Sequence, residues 1–262
     1  MPVKVIVTGA AGRMGSAICR RVLEDDRFEL AAVVDRPGQE KTLQQWGDVV
    51  KSACLKDVLP RFPGAVIIDF TAPDASVDNA ATAAAHGNPL VMGTTGLTAE
   101  QKEKITAEAA RSPLFYSPNM SIGMNVILAV LPKLVHLLGD DYDMEVMEIH
   151  HKLKKDSPSG TALRLAEALA AAKNWQLDEV ANYHREGIIG ERPQKEIGIQ
   201  TLRGGDVVGV HTAYFFGPGE RIEINHQAHS REMFAQGALR AAKWLVLQKP
   251  GKLYNMFDLL GV

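Results

Sequence analysis

The chain has 262 residues, 46% hydrophobic and 23% charged, with a formal net charge of −2, a composition that suits a large core. The near-neutral balance excludes a global field for gripping nucleic acid or an anionic membrane surface. Two cysteines, Cys19 and Cys54, are too few and wrongly spaced for a disulfide framework or a zinc knuckle, no stretch is long enough for a membrane span, and no export signal precedes the first strand; a cytoplasmic protein with reduced thiols is expected.

Residues 3–8 (VKVIVT) form a short β-branched run that suits a strand buried on both faces. A glycine-rich turn follows, and from Arg13 the apolar positions Met14, Ala17, Ile18 and Val22 recur at helical spacing. FELAAVVD (28–35) returns to strand character, completing a β-α-β unit. The alternation continues through AVIIDF (65–70), a helix near 74–86, PLVMGTT (89–95), a helix over 99–111 and LFYSP (114–118), which predicts a parallel sheet with helices on both faces. From Ser121 a long apolar helix is expected, bent at Pro132.

Beyond Asp140 the rhythm changes. YDMEVMEIHH (142–151) alternates like a half-buried strand, a helix follows Pro158 up to Lys173, and three strand-like runs come next: IGIQTLR, DVVGVHTAYFF and ERIEINHQA. A helix over roughly 231–248 closes the pattern. The expected fold is α/β, with a Rossmann-like parallel-sheet domain for a dinucleotide over 1–121. A smaller α+β substrate and oligomerisation domain with an open mixed sheet is expected over 122–230, and a C-terminal helix in 231–262 should return to the first domain.

The turn Gly9-Ala10-Ala11-Gly12-Arg13-Met14-Gly15 lies between a strand and a helix, and Asp35 ends the next strand twenty residues after Gly15. Glycines there let a pyrophosphate approach main-chain N–H groups at the positive end of a helix, and the acid suits ribose hydroxyls. Arg36 beside it suits the extra phosphate of NADP, so both NADH and NADPH are expected as cofactors. Two further loops at carboxyl ends of expected strands, Gly93-Thr94-Thr95-Gly96 and Ser117-Pro118-Asn119-Met120, suit the nicotinamide ribose and carboxamide.

HHKLKKDSPSGTA (150–162) concentrates proton-handling and anion-attracting groups. His150 and His151 end a strand, so they point to opposite faces and make a poor chelate; no metal is expected. Lys154 lies in the loop beyond, and Ser159-Gly160-Thr161 opens a helix whose free N–H groups attract anions. A lysine, a helix N-terminus and a histidine titrating near neutrality describe a receptor for a small acidic substrate that must be protonated. His226 and His229, read as strand residues three apart, face opposite ways and argue against a metal hydrolase. His86, His136, His184 and His211 are expected to be core or surface histidines.

Here the sequence resembles the dihydrodipicolinate reductase family. The resemblance rests on VTGAAGRMG at the start, DFTAP (69–73), GTTG (93–96), SPNMSIGMNV (117–126), EIHHKLKKDSPSGTA (148–162), RGGDVVGVHT (203–212) and ERIEINHQAHSREMFAQGALRAAKWL (220–245). It implies that Gly9 to Met14, Asp35, Arg36, Gly93 to Thr95 and Ser117 to Met120 bind NADH or NADPH. His150 would exchange the proton and Lys154 would be its cationic partner, while His151, Lys154, Gly160 and Thr161 would hold the carboxylates of a cyclic dicarboxylate imine. A homotetramer is implied too. One departure is Val210 in Gly209-Val210-His211, where the family commonly has Gly-Glu-His. Another NAD(P)-dependent dehydrogenase of amino-acid-derived acids would share the glycine turn but not the His-His…Lys…Ser-Gly-Thr segment, and a non-enzymatic NAD(H) sensor needs neither His150 nor Lys154.

Overall fold

The computed structural model describes residues 1–262. The chain divides into two compact units, one of residues 1–122 and 231–262 and the other of residues 123–230. In the first, β1 (Val3–Thr8), α1 (Arg13–Leu23), β2 (Phe28–Val34), α2 (Glu40–Leu43), β3 (Val50–Ser52), α3 (Leu55–Val58), β4 (Val66–Asp69), α4 (Pro73–His86), β5 (Leu90–Met92), α5 (Ala99–Glu108) and β6 (Leu114–Tyr116) follow in order. Next come α6 (Ile122–Leu138), β7 (Asp143–His150), α7 (Gly160–Ala172), α8 (Leu177–Val180), β8 (Ala181–Asn182), β9 (Ile197–Arg203), β10 (Gly209–Gly217) and β11 (Glu220–Ala228). The chain ends with α9 (Glu232–Leu245), β12 (Leu253–Tyr254) and α10 (Met256–Leu260).

The first sheet has the order β12-β6-β5-β4-β1-β2-β3, parallel throughout. From β3 to β6 this is the doubly wound order that reverses direction beside β1, so loops at the carboxyl ends of β1 and β4 part and leave a crevice. Successive strand residues feed opposite layers. Val5, Val7, Val33, Val66, Ile68 and Phe115 join the core under α1 and α9, while Ile6, Ile67, Leu90, Met92 and Leu114 join the one under α4 and α5. Burial on both faces explains the unbroken apolar runs.

Local signals set the helix ends. Thr98 and Gln101 make a capping box at α5, Asn255 and Asp258 do the same at α10, and α4 starts with Pro73 and stops at left-handed Gly87. Pro132 lies inside α6, where its missing N–H leaves the Leu128 carbonyl without its helical donor. The short elements α2, α3, α8, α10, β3, β8 and β12 are too brief for periodicity to mark them, and β12 extends the sheet edge beyond β6.

The second sheet has the order β11-β10-β7-β9-β8. β10 is antiparallel to β7 and β11, whereas β9 is parallel to β7 and β8, so the sheet is mixed. Along β7 the residues Met144, Val146, Glu148 and His150 are buried and alternate with more exposed neighbours. α7 packs on this sheet with Ala162, Leu165, Ala166 and Leu169 buried. Val210 registers with Ile149 and Gln227, on the face opposite to buried His211. Two polar residues thus stand on the covered side of β7, at its carboxyl end.

Close approach of α9 to the 117–120 loop is possible because residue 237 is glycine; a Cβ there would overlap the Met120 carbonyl. Gly237→Ala is expected to destabilise the protein by about 1–3 kcal/mol, an overpacking cost. Denaturant unfolding that shows no loss would mean the helix slides freely.

Candidate active site

Two sets of the candidate residues cluster, one in each unit. In the first unit Gly9 takes a left-handed φ of 68°, and a Cβ on Gly15 would overlap the Gly9 carbonyl, so only glycine lets α1 start this close to the turn. Gly12 caps α1 and no side chain satisfies its first turn. The Asp35 carboxylate accepts from the main-chain N–H of Ala11 at 2.8 Å and of Arg36 at 2.8 Å, so it braces the glycine turn and still keeps lone pairs for a hydroxyl. A cavity of about 560 Å³ lies here, lined by Gly9, Ala11, Gly12, Asp35 and Arg36 together with Thr8, Phe70, Thr71 and Asn79.

The remaining candidates of this unit stand outside that lining. Arg13 is exposed and Met14 half-buried, whereas the Ala10 side chain is fully buried. Thr94 is buried in a network centred on Asp69, which has no exposed surface. Asp69 Oδ1 accepts from Thr8 at 2.6 Å, Thr71 at 2.7 Å and Asn79 at 3.1 Å; Ser76 bonds Oδ2, and the Ser76 and Thr94 hydroxyls are 2.7 Å apart. One carboxylate therefore ties together the ends of β1, β4 and β5. Gly93 accommodates the Phe70 ring, which a Cβ would overlap, while Thr95 and Pro118 are exposed. Ser117 Oγ donates to the Asn119 carbonyl at 2.7 Å, Asn119 Oδ1 accepts from Ser121 N–H at 2.9 Å, and the Met120 side chain is buried in the core. Ala10, Thr94 and Met120 can present main chain only.

In the second unit the centre is Glu148, with no exposed surface. Its Oε2 lies 2.5 Å from His150 Nδ1 and 2.7 Å from Arg203 Nη1, and its Oε1 accepts from Arg203 Nη2 at 2.8 Å and from Ser159 N–H at 2.9 Å. Ser159 caps α7, its Oγ accepting from Ala162 N–H at 3.1 Å and lying 3.0 Å from His211 Nε2. The His211 ring meets the His150 ring edge-on at 5.0 Å. Gly209 leaves room for the imidazole, since a Cβ there would come within 3.0 Å of His150 Nε2. Lys154 is mostly covered and donates to both oxygens of Asp156 at 2.9 and 2.8 Å. His151 and Thr161 are half-buried and Gly160 is exposed, and His151 Nδ1 is buried without a partner.

Burial pushes the Glu148 carboxyl up, but bonds from Arg203, His150 and the Ser159 N–H outweigh it and hold the group down at about 2. Burial also lowers His150; the Glu148 bond and charge oppose this, while the charges of Lys154 and Arg203 reinforce it. His211 is pushed down to about 3 by burial, with the nearby His150 adding to the effect. An ionised Glu148 accepts only, so the neutral His150 ring carries its hydrogen on Nδ1 and leaves Nε2 as the atom that exchanges protons.

Glu148, Arg203 and Gly209 were not singled out by the sequence pattern, and His211, expected to be a plain core or surface histidine, is buried but stands against His150. Glu148 had a signal: two residues before His150 in a strand places it on the same face. Arg203 and His211 had none, because they arrive from β9 and β10 through sheet register. His229 lies beyond the end of β11, so the strand argument applies to His226 alone.

The family model described as "Dihydrodipicolinate reductase, N-terminus" matches residues 3–120, and "Dihydrodipicolinate reductase, C-terminus" matches residues 123–260. The chain belongs to the dihydrodipicolinate reductase family. It is 62% identical over 260 residues to the 4-hydroxy-tetrahydrodipicolinate reductase of Oleidesulfovibrio alaskensis, covering 99% of this chain and 100% of that one. It is 49% identical over 269 residues to the protein of that name from Citrifermentans bemidjiense, covering 99% of each. Among solved structures, dipicolinate-bound dihydrodipicolinate reductase from a Paenisporosarcina species matches with a TM-score of 0.78 at 23% identity, over 98% of this chain and 99% of that one. A myo-inositol dehydrogenase from Corynebacterium glutamicum shares the fold at a TM-score of 0.62 and 17% identity, over 99% of this chain and 93% of that one.

Within this family member, a histidine kept neutral by burial makes folding disfavour its protonation. As pH falls from the ordinary 6.5 toward about 3, the unfolded chain takes up a proton that folded His211 refuses, so stability falls across that window. Equilibrium unfolding at several pH values should show a slope smaller by about one proton in His211→Gln. An unchanged slope would mean that His211 titrates normally in the fold.

Proposed function

We infer that the chain is an NAD(P)H-dependent oxidoreductase that reduces the cyclic imine derived from 4-hydroxy-tetrahydrodipicolinate by loss of water, yielding tetrahydrodipicolinate on the route to diaminopimelate and lysine. Family membership over nearly the whole chain supports the reaction. The observation that carries the assignment of residues is the buried Glu148–His150 contact in the segment that also presents Lys154 and the start of α7.

The unit of residues 1–122 and 231–262 is assigned the dinucleotide, and the unit of residues 123–230 the substrate. The residues fit a dinucleotide: the cavity has the volume of a small-molecule site, α1 begins without a side-chain cap, and Asp35 keeps acceptor capacity for ribose hydroxyls. Gly9 to Met14 would hold the pyrophosphate, Asp35 and Arg36 the adenosine ribose with or without its extra phosphate, and the loops 93–95 and 117–120 the nicotinamide half. When bound, the reduced nicotinamide supplies the hydride.

The protein's own part is placement and protonation. Lys154, His151 and the N–H groups of Gly160 and Thr161 hold the substrate carboxylates. Burial keeps His150 neutral and the charges of Lys154 and Arg203 reinforce it; the bound carboxylates offset those charges, so the imidazole charges as substrate binds, and its Nε2 then delivers the proton that must accompany the hydride. Lys154 stabilises negative charge developing on the ring.

The open face of the mixed sheet carries apolar Met147, Ile149 and Val210 in adjacent register and stacked Tyr214 and Phe216. A face of this kind suits pairing between copies, in line with a homotetramer. Two unpaired cysteines and a requirement for a reduced nicotinamide pool favour the cytoplasm. No helix is long and apolar enough to cross a membrane.

Purified protein should oxidise both NADH and NADPH only when the cyclic imine is supplied. His150→Gln should lower kcat by about 100-fold or more with cofactor KM little changed, the usual scale for a lost acid–base group. Lys154→Ala should lower kcat and raise substrate KM together. Wild-type kinetics in either variant would remove that residue from the site.

A further inference from the structure

We propose that Glu148 is the positioning residue of the reaction, a buried carboxylate that fixes the proton-exchanging imidazole in register with the N-terminus of α7. The inference rests on the roles given above to His150 and to Gly160 and Thr161. Glu148 meets both sides at once. Oε2 contacts His150 Nδ1 at 2.5 Å, and Oε1 accepts the main-chain N–H of Ser159, the residue that caps α7 immediately before Gly160. Two oxygens of one rigid group thus set how far Nε2 stands from the N–H groups that receive a carboxylate.

The carboxylate cannot rotate away. Arg203 grips both of its oxygens, at 2.7 and 2.8 Å, and is itself anchored by donating to the Asp156 and Leu202 carbonyls, both at 2.8 Å. Thr201 Oγ1 adds a bond to Oε1 at 3.3 Å. A forked guanidinium on a fully buried acid leaves one geometry for the imidazole opposite. Arg203 serves a second purpose: it balances the Glu148 charge, so the acid orients His150 without locking a proton on it.

The charged and titratable groups around the pair are Arg203 from β9, His211 from β10, and Lys154 and Asp156 from the 151–156 loop. With Glu148 neutralised, Arg203 and Lys154 act on His150 unopposed, so its protonation moves to lower pH. A step that needs charged His150 then fails earlier as pH rises.

The experiment compares Glu148→Gln and Glu148→Asp with wild type and His150→Gln in the full-length protein, measuring kcat and kcat/KM against pH with both cofactors, inhibition by pyridine-2,6-dicarboxylate, and thermal unfolding. In Glu148→Gln, kcat should fall about tenfold or more, the alkaline limb of kcat/KM should move to lower pH, and inhibition should weaken, while KM for NADH stays within about twofold. Glu148→Asp keeps the charge but shortens the reach, so it should restore the limb toward its wild-type pH and leave kcat low. Should Glu148→Gln fail to fold, the kcat and inhibition of Glu148→Asp decide: wild-type values overturn the proposal. An unmoved limb with only a lowered unfolding temperature overturns it as well, reducing Glu148 to a structural role. If His150→Gln itself keeps wild-type kcat, the fault lies in the proton role given to His150 and not in the carboxylate.

Discussion

At the carboxyl end of β7 an ionised carboxylate sits with no access to water, a state that costs several kcal/mol for an isolated ion and persists only with partners on every side. Glu148 has them: a guanidinium fork, a main-chain N–H, a hydroxyl and an imidazole. These four partners come from three segments: Arg203 and Thr201 from β9, Ser159 from the cap of α7 and His150 from β7 itself. Removing one partner leaves charge uncompensated, so the sheet register, the helix cap and the histidine orientation are held by a single constraint. Stability and the proposed chemistry are coupled there.

The first unit solves its own version of this problem with Asp69. A buried acid collects hydroxyls and an amide from β1, α4 and the loops after β4 and β5, and so fixes the carboxyl ends where an open parallel sheet binds ligands. Asp35 does the same on a smaller scale by tying the glycine turn through Ala11 N–H. In both units, rigid main chain near the proposed ligands is bought with a satisfied carboxylate rather than with bulk packing.

Much of this architecture was legible in the sequence because its signals are local. VKVIVT followed by glycines and a 3.6-residue pattern marks the opening β-α-β unit, and ERIEINHQA marks a strand with the bounds observed. Candidates carried by that single β-α-β unit, such as Gly9, Gly12 and Asp35 around the cavity, were readable for the same reason. What escaped was non-local or brief. The Arg203 contact needs β9 to lie parallel to β7 with His150 opposite Arg203, and His211 needs the antiparallel register of β10; no pattern within either strand reports a pairing made elsewhere. The edge strand β12 is two residues long and exists only because β6 offers it a partner. The dual use of Thr94, whose hydroxyl is spent on the Asp69 network, is likewise invisible until the strands are assembled.

A fixed acceptor, the Glu148 carboxylate, dictates which nitrogen of His150 carries hydrogen. Nitrogen-15 NMR of the histidine side chains in the ligand-free protein reads this directly, with His150→Gln identifying the signal. The result expected is a neutral imidazole at pH 7 with hydrogen on Nδ1 and a bare Nε2, the state imposed by an ionised Glu148 under burial. A neutral ring with hydrogen on Nε2, or a ring already doubly protonated at that pH, would contradict it.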